Sequence, residues 1–155
     1  MTERPPVTCH VLDTTTGKPA AGILCTIYKL DLVSAVSPDG NNIFAESSTS
    51  ELKPLAMART NEDGRVDQWT FNPDASQREL LGDLGITKKD GAPLGWSTLV
   101  HGTYKIRFQV GKYYHSMGQA NFHPFIEIIF EVQDSRHYHI PLLVSNYGYT
   151  TYRGS

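Results

Sequence analysis

The sequence predicts an all-β fold, an antiparallel sandwich of seven to eight strands with one short helix. Apolar and polar residues alternate with a period of two in most of the apolar segments, as they do in strands that bury one face. Glycine, proline, asparagine and aspartate separate these segments, and several short strands in one domain are typical of a sandwich. The length of 155 residues fits a single domain over 1–155.

The first half of the chain contains four candidate strands. Val7, Cys9 and Val11 share one face of the first, which predicts that they are core residues. The motif Asn61-Glu62-Asp63-Gly64 predicts a hairpin turn between the third and the fourth, because Asp-Gly tolerates positive φ. The four candidates span residues 7–11, 23–30, 55–60 and 65–71.

The second half contains four more candidate strands and two interruptions. Residues 31–54 are rich in serine, asparagine, glycine and proline and predict a long surface loop, and residues 72–100 predict a second one. The short helix is expected at 77–81, and a helical turn at 112–119 is weakened by Gly111 and Gly118. These strands span residues 104–110, 126–132, 138–144 and 147–153.

Composition and charge argue against several classes of protein. The 14 basic and 16 acidic residues give a formal net charge of −2, which disfavours a nucleic-acid binder. No apolar run approaches the roughly 18–20 residues of a membrane helix, and no secretory signal is expected at the N-terminus. Cys9 and Cys25 are too few for a disulfide framework and predict buried thiols. A cytoplasmic protein without nucleic-acid or membrane partners is the expectation.

Two histidines are the first candidates for chemistry. The alternation places His10 and His139 on outward sheet faces, opposite the apolar residues of their own strands. Imidazoles on such faces are suited to a site between subunits. The alternative is that both are ordinary surface histidines, which is also the interpretation of the histidines in loop-like segments, His101, His115 and His123.

Two further features have both a functional and an ordinary explanation. His137 and His139 have the i, i+2 spacing of metal ligands on a strand. A metal site formed by these two residues and His10 is therefore an alternative, although the spacing alone is weak support for it. Arg65 follows the Asp-Gly turn, where a guanidinium is able to bind a planar anion or to remain solvated. Cys9 lies on the apolar face of its strand, which disfavours it as a nucleophile.

Three blocks of sequence resemble the 5-hydroxyisourate hydrolases, the enzyme branch of the transthyretin-like proteins. They occur in the family's order, and the ending Tyr152-Arg153-Gly154-Ser155 is specific to the enzymes because the transthyretin hormone carriers lack it. The blocks are Cys9-His10-Val11-Leu12-Asp13, Thr60-Asn61-Glu62-Asp63-Gly64-Arg65, and the run that starts at His137-Tyr138-His139-Ile140-Pro141 and continues to Ser155.

The resemblance implies a transthyretin-like sandwich assembled as a homotetramer, with active sites in a channel between dimers. It implies cofactor-independent hydrolysis of 5-hydroxyisourate, the product of urate oxidation, to 2-oxo-4-hydroxy-4-carboxy-5-ureidoimidazoline. It implies no metal. Carried over by motif, the catalytic residues are His10, Arg65, His139 and Ser155, and the substrate-binding residues are Arg65, Tyr152, Arg153, Gly154 and Ser155.

Two other functions compete with this one. A non-catalytic transthyretin-like carrier would bind an aromatic molecule in the same channel, but such a channel does not need the polar cluster of Arg65, His139 and the C-terminal tail. An immunoglobulin-like adhesion module is disfavoured by the cysteine count and the N-terminus. The C-terminal residues differ from the peroxisomal Ser-Lys-Leu signal, which favours the cytoplasm. A peroxisomal location is the alternative.

Overall fold

A computed structural model describes residues 4–32, 49–51, 54–71, 86–88, 94–96 and 98–154 of the chain. These residues form two sheets, a separate two-stranded sheet and one helix, α1 (Val110–Ser116). In chain order the strands are β1 (Val7–Asp13), β2 (Lys18–Pro19), β3 (Leu24–Leu32), β4 (Thr49–Glu51), β5 (Ala56–Arg59), β6 (Arg65–Val66), β7 (Thr70–Phe71), β8 (Ile86–Lys88), β9 (Leu94–Trp96), β10 (Gly102–Phe108), β11 (Ile126–Val132), β12 (Tyr138–Val144) and β13 (Tyr149–Thr151).

The two sheets share one core, which confirms the predicted sandwich. The first sheet has the strand order β13-β12-β1-β2, with β6 also paired to β1. The second has the order β11-β10-β3-β5-β7, with β4 also paired to β3. Within the described residues, no helix is long and apolar enough to cross a membrane. Completely buried residues come from both sheets, among them Val7, Cys9 and Val11 of the first and Cys25, Ile27, Tyr104, Ile106 and Phe108 of the second.

One pairing in the first sheet departs from the antiparallel prediction. β1 and β12 run parallel, from Val7 opposite Tyr138 to Asp13 opposite Val144. The other pairs of described strands are antiparallel. Parallel neighbours need a long connection, and here that connection includes the whole second sheet. The first sheet is therefore mixed.

The predicted turn at residues 61–64 is present, but the strand predicted at 65–71 is divided: its end, β7, pairs antiparallel with β5 as predicted, whereas its start, β6, belongs to the other sheet. The Gly64 N–H donates to the Asn61 carbonyl at 2.9 Å, which closes the turn. The strand before the turn, β5, pairs in the second sheet, whereas β6 after it pairs with β1 in the first. The apolar residues explain the change of sheet: Val66 is buried, and the Trp69 indole N–H donates to the Val7 carbonyl at 2.9 Å.

The segments predicted as long loops contain short strands. β3 extends to Leu32 and pairs with β4, and β8 pairs with β9. Trp96 is buried with its ring centroid 5.8 Å from that of Phe71. The helix predicted at 77–81 lies outside the described residues. The helical turn predicted at 112–119 corresponds to α1, which begins earlier because Val110 and Tyr114 are both completely buried.

Gly64 allows the turn to lie directly on β1. Its φ is +74°, in the left-handed region that favours glycine. A Cβ at this position would collide with the carbonyl oxygen of Val11, and the Gly64 carbonyl accepts the Val11 N–H at 2.8 Å. This close approach fixes the start of β6 and therefore the position of Arg65 beside β1.

Replacing Gly64 with alanine should destabilise the fold more than replacing Gly17. Both glycines have positive φ, +74° and +71°, so each substitution carries a backbone cost of about 1–2 kcal/mol. The added methyl has open space at Gly17 but meets main-chain atoms at Gly64, which should add about 1–3 kcal/mol. Urea denaturation of both variants measures the difference, and equal free energies of unfolding would contradict the close approach.

Candidate functional site

The candidate site lies on the outward face of the first sheet, where β6, β1 and β12 are neighbours. The parallel register places Thr8 opposite His139, and the antiparallel register of the other pair places His10 opposite Arg65. Since side chains alternate along a strand, Thr8 and His10 share the face opposite the buried Cys9. The structure therefore brings together three residues predicted from sequence: His10, Arg65 and His139.

His139 is held at two edges of its ring. The Thr8 hydroxyl lies 2.8 Å from its Nδ1. Gly154 packs against the other edge, because a Cβ built on Gly154 would lie 2.8 Å from His139 Cδ2. The Gly154 N–H also donates to the His139 carbonyl at 2.9 Å. The ring atoms farthest from the main chain are Cε1 and Nε2.

His10 lies beside His139 and is anchored independently. The two ring centroids are 6.3 Å apart, with an angle of 38° between the ring planes. A polar contact with the main chain of Asp63 favours the protonated form of His10 and partly offsets the lowering of its pKa. The Asp63 N–H is already donated to Asn61 Oδ1 at 2.9 Å, so the Asp63 carbonyl is the acceptor and His10 the donor. The turn that positions Arg65 therefore also orients His10.

An open pocket of about 260 Å³ lies next to this cluster. Its charged residues other than histidine are Arg4, Arg65 and Asp67, so cationic groups outnumber the carboxylate. Such a pocket favours a small anion with polar edges. The lining residues are Arg4, Thr8, Cys9, Arg65, Val66, Asp67, His137 and His139.

The surroundings keep both imidazoles neutral near pH 7. Burial is the main cause that lowers the pKa of His139, followed by the positive charge of Arg65 and then by His10. Burial and Arg65 also lower the pKa of His10, while the contacts with Asp63 partly oppose them. A guanidinium disfavours a second positive charge nearby, so both rings are available as proton acceptors at neutral pH.

The residues of the C-terminal tail differ in whether they reach this site. Gly154 is buried on His139, as described above. The Arg153 guanidinium lies over the Tyr138 ring, 4.4 Å from Cζ to the ring centroid, and its Nη2 is 3.8 Å from Asp134 Oδ1. Tyr152 is exposed. Neither Tyr152 nor Arg153 lines the pocket, and Ser155 lies outside the described residues.

Thr8 is a member of this cluster that the sequence analysis did not identify. Its hydroxyl contacts His137 Nε2 at 2.8 Å as well as His139 Nδ1 at 2.8 Å. The available signal was its position two residues before His10, which puts it on the same strand face.

In the part of the chain that the structure describes, no three or more His, Cys, Asp and Glu side chains form a group that could hold a metal ion. The three-histidine alternative therefore has no support from the geometry.

Comparison with known proteins gives a consistent result over nearly the whole chain. Residues 7–154 match the model of the HIUase/Transthyretin family. The chain is 35% identical over 151 residues to a probable 5-hydroxyisourate hydrolase of Schizosaccharomyces pombe, covering 97% of this chain and 92% of the relative. It is 36% identical to the 5-hydroxyisourate hydrolase of Halalkalibacterium halodurans, covering 96% and 97%. It is 31% identical to that of Mus musculus, covering 99% and 98%.

A similar fold is found among solved structures. The structure of Klebsiella pneumoniae 5-hydroxyisourate hydrolase superposes with a TM-score of 0.58 and 24% sequence identity. The match covers 96% of this chain and 98% of that chain. This likeness supports the two-sheet architecture.

Replacing Arg65 with glutamine should raise the pKa of both His10 and His139. The positive charge of Arg65 lowers both values, so its removal makes the imidazolium forms less unfavourable. NMR titration of the histidine ring protons measures the two pKa values. Arg136→Gln is the matched control, because Arg136 is exposed and its ion pair is with Asp134. If Arg65→Gln moved neither value, the electrostatic coupling described here would be incorrect.

Proposed function

The chain belongs to the HIUase/Transthyretin family, and from that premise we propose that it hydrolyses 5-hydroxyisourate at the pocket beside His10, Arg65 and His139. The enzyme activity is that of a 5-hydroxyisourate hydrolase, in keeping with the full-length relatives at 31–36% identity. The observation that carries the proposed site is the pair of imidazoles with lowered pKa next to a guanidinium. The reaction uses water and substrate, and the proposal assigns it no cofactor.

The chemistry required is attack of water on a ring carbonyl. A neutral imidazole accepts a proton from water while the oxygen forms a bond to the carbonyl carbon. The resulting tetrahedral intermediate carries its negative charge on the former carbonyl oxygen. The ring C–N bond then breaks, and the nitrogen takes the proton back from the imidazolium. The products are the opened ring with a new carboxylic acid, which releases its proton to solvent and becomes a carboxylate, and a regenerated neutral histidine.

Arg65 is proposed to bind the substrate and to stabilise the developing charge. Its guanidinium presents several N–H donors in one plane, which suits the planar, anionic, purine-derived substrate. It lines the pocket that His139 also lines. A cation near the developing oxyanion lowers the barrier by stabilising the negative charge that forms there. The same charge keeps the two imidazoles neutral, so the two effects of Arg65 reinforce each other.

The roles of the tail residues differ in their support. Gly154 touches His139 directly, which supports its place in the site. The contacts of Arg153 are with Tyr138 and Asp134, so substrate binding by Arg153 stays a prediction from the sequence. The same holds for Tyr152 and for the catalytic role of Ser155.

We also propose that the chain assembles as a homotetramer that covers this face. β13, at the edge of the site-bearing sheet, is exposed along its whole length. Three tyrosines in the same region are exposed to solvent by 71%, 45% and 60%, namely Tyr147, Tyr149 and Tyr152. Closed symmetric oligomers are the usual means of burying such a surface. Sedimentation equilibrium should give a tetramer, and a monomer at micromolar concentration would refute this part of the proposal.

His10→Ala and His139→Ala should each reduce kcat by about 100-fold or more while the protein stays folded. General-base assistance is worth roughly 10²–10⁴-fold, and neither ring belongs to the buried core. The assay follows loss of enzymatically generated 5-hydroxyisourate by absorbance, with the spontaneous rate subtracted. His115→Ala is the control, since His115 is exposed on α1. Near-native rates in both site variants would refute the assignment, and no activity in the parent chain would favour the carrier.

Gly154→Ala should reduce kcat by about 10-fold or more, whereas Gly148→Ala should leave it nearly unchanged. The methyl at residue 154 would lie 2.8 Å from both Cδ2 and the carbonyl oxygen of His139, so one of them must move. Small misplacements of catalytic groups cost up to ~10²-fold. At Gly148 the methyl meets only the Ser145 hydroxyl at 3.8 Å. Equal rates for the two variants would show that the tail does not position His139.

A further inference from the structure

We propose that Thr8 and His137 are positioning residues that hold His139 in the tautomer whose Nε2 accepts the proton. The proposal deepens the proposed function and rests on it for its kinetic consequence. The positions of His10 and His139 alone do not determine which nitrogen of His139 carries hydrogen.

A single hydroxyl lies between two imidazole nitrogens. Thr8 Oγ1 is 2.8 Å from His137 Nε2 and 2.8 Å from His139 Nδ1. A hydroxyl has one hydrogen to donate and lone pairs with which to accept. With both rings neutral, Thr8 therefore donates to one nitrogen and accepts an N–H from the other. The tautomers of the two histidines are consequently linked through this hydroxyl.

The main chain sets the direction of the link. The main chain at Pro5 and Pro6 runs beside His137, since the Pro6 carbonyl accepts the Tyr138 N–H at 2.9 Å, and a polar contact with the Pro5 main chain partly offsets the lowering of the pKa of His137. Proline has no N–H, so its carbonyl is the acceptor and the histidine ring is the donor. Because Nε2 of His137 is the atom at Thr8, the donor to Pro5 is Nδ1. A neutral His137 that carries hydrogen on Nδ1 has a bare Nε2, which accepts the Thr8 hydrogen.

The remaining step assigns His139. Since the Thr8 hydrogen is directed to His137, the Thr8 oxygen accepts from His139, whose Nδ1 must carry hydrogen. Neutral His139 then has a free lone pair on Nε2. The chain of donors runs from His139 through Thr8 and His137 to the Pro5 carbonyl. The hydrogen bond made by one ring nitrogen thus determines the chemistry of the other.

The relay also fits the burial of its members. Thr8 is 8% exposed, so its hydroxyl is largely shielded from water that would otherwise compete for either histidine. Pro5 is buried as well. Gly154 blocks the Cδ2 edge of His139, which opposes a flip of the ring. Hydrogen bonds that are shielded in this way hold a tautomer more firmly than exposed ones.

The test reads the tautomer directly. In the protein labelled with ¹⁵N-histidine, long-range ¹H–¹⁵N spectra recorded with the rings neutral distinguish a protonated from a bare ring nitrogen. The native chain should show His139 and His137 both protonated on Nδ1. Thr8→Val removes the hydroxyl with little change of shape and should move His139 towards the Nε2–H form. Thr8→Ser should restore the native tautomer. His139 protonated on Nε2 in the native chain, or unchanged in Thr8→Val, would overturn the proposal.

Kinetics provide the second readout and separate this proposal from the proposed function. Thr8→Val should lower kcat by roughly 10-fold or more, since a wrong tautomer cannot act as the base, with KM close to that of the parent and with recovery in Thr8→Ser. Thr103→Val is the matched control, because its hydroxyl contacts the exposed Glu131 in the other sheet. A native rate in His139→Ala would refute the role of His139 as the base, which belongs to the proposed function. The NMR spectra test the tautomer of His139 independently of that role. If Thr8→Val is too unstable to study, His137→Phe removes the acceptor and should shift the His139 tautomer in the same direction.

Discussion

The parallel pairing of β1 with β12 is the constraint on which the rest of this site depends. It joins two strands from opposite ends of the chain and sets Thr8 opposite His139. Because the side-chain period of a strand is two, a shift of one residue would turn the site histidines into the core. The completely buried Val7, Cys9 and Val11 resist that shift. The apolar face of β1 therefore specifies the geometry of the polar face.

Electrostatics then give this geometry its chemical character. Burial and Arg65 both lower the pKa of the two histidines, and at His10 they outweigh the opposing effect of Asp63. In the proposed mechanism, the residue that binds the anionic substrate is also the one that keeps the base unprotonated.

Much of this could be predicted from the sequence, and the failures have physical causes. Alternation alone identified the core face of β1 and the outward direction of His10 and His139, because a strand has only two faces. It could not identify the neighbour of each strand, so the parallel pairing and the change of sheet after the turn were missed. No local feature of the sequence distinguished Arg65, because its place in the site comes from its position opposite His10 in the sheet. Thr8 was missed for the same reason, because its partners His137 and His139 are distant in sequence.

The tail shows how weak contacts far from the reacting atoms can still shape a site. Arg153 lies over the Tyr138 ring and close to Asp134, and it is about half exposed. An exposed cation–π contact and an exposed ion pair each contribute little by themselves. They act together with the contacts of Gly154, and all of them favour the same position of the tail, in which Gly154 bonds the His139 carbonyl and rests on its ring. In this position any larger residue at 154 would displace the imidazole, so the arginine and the glycine act as one unit, the first anchoring the tail and the second leaving room for His139.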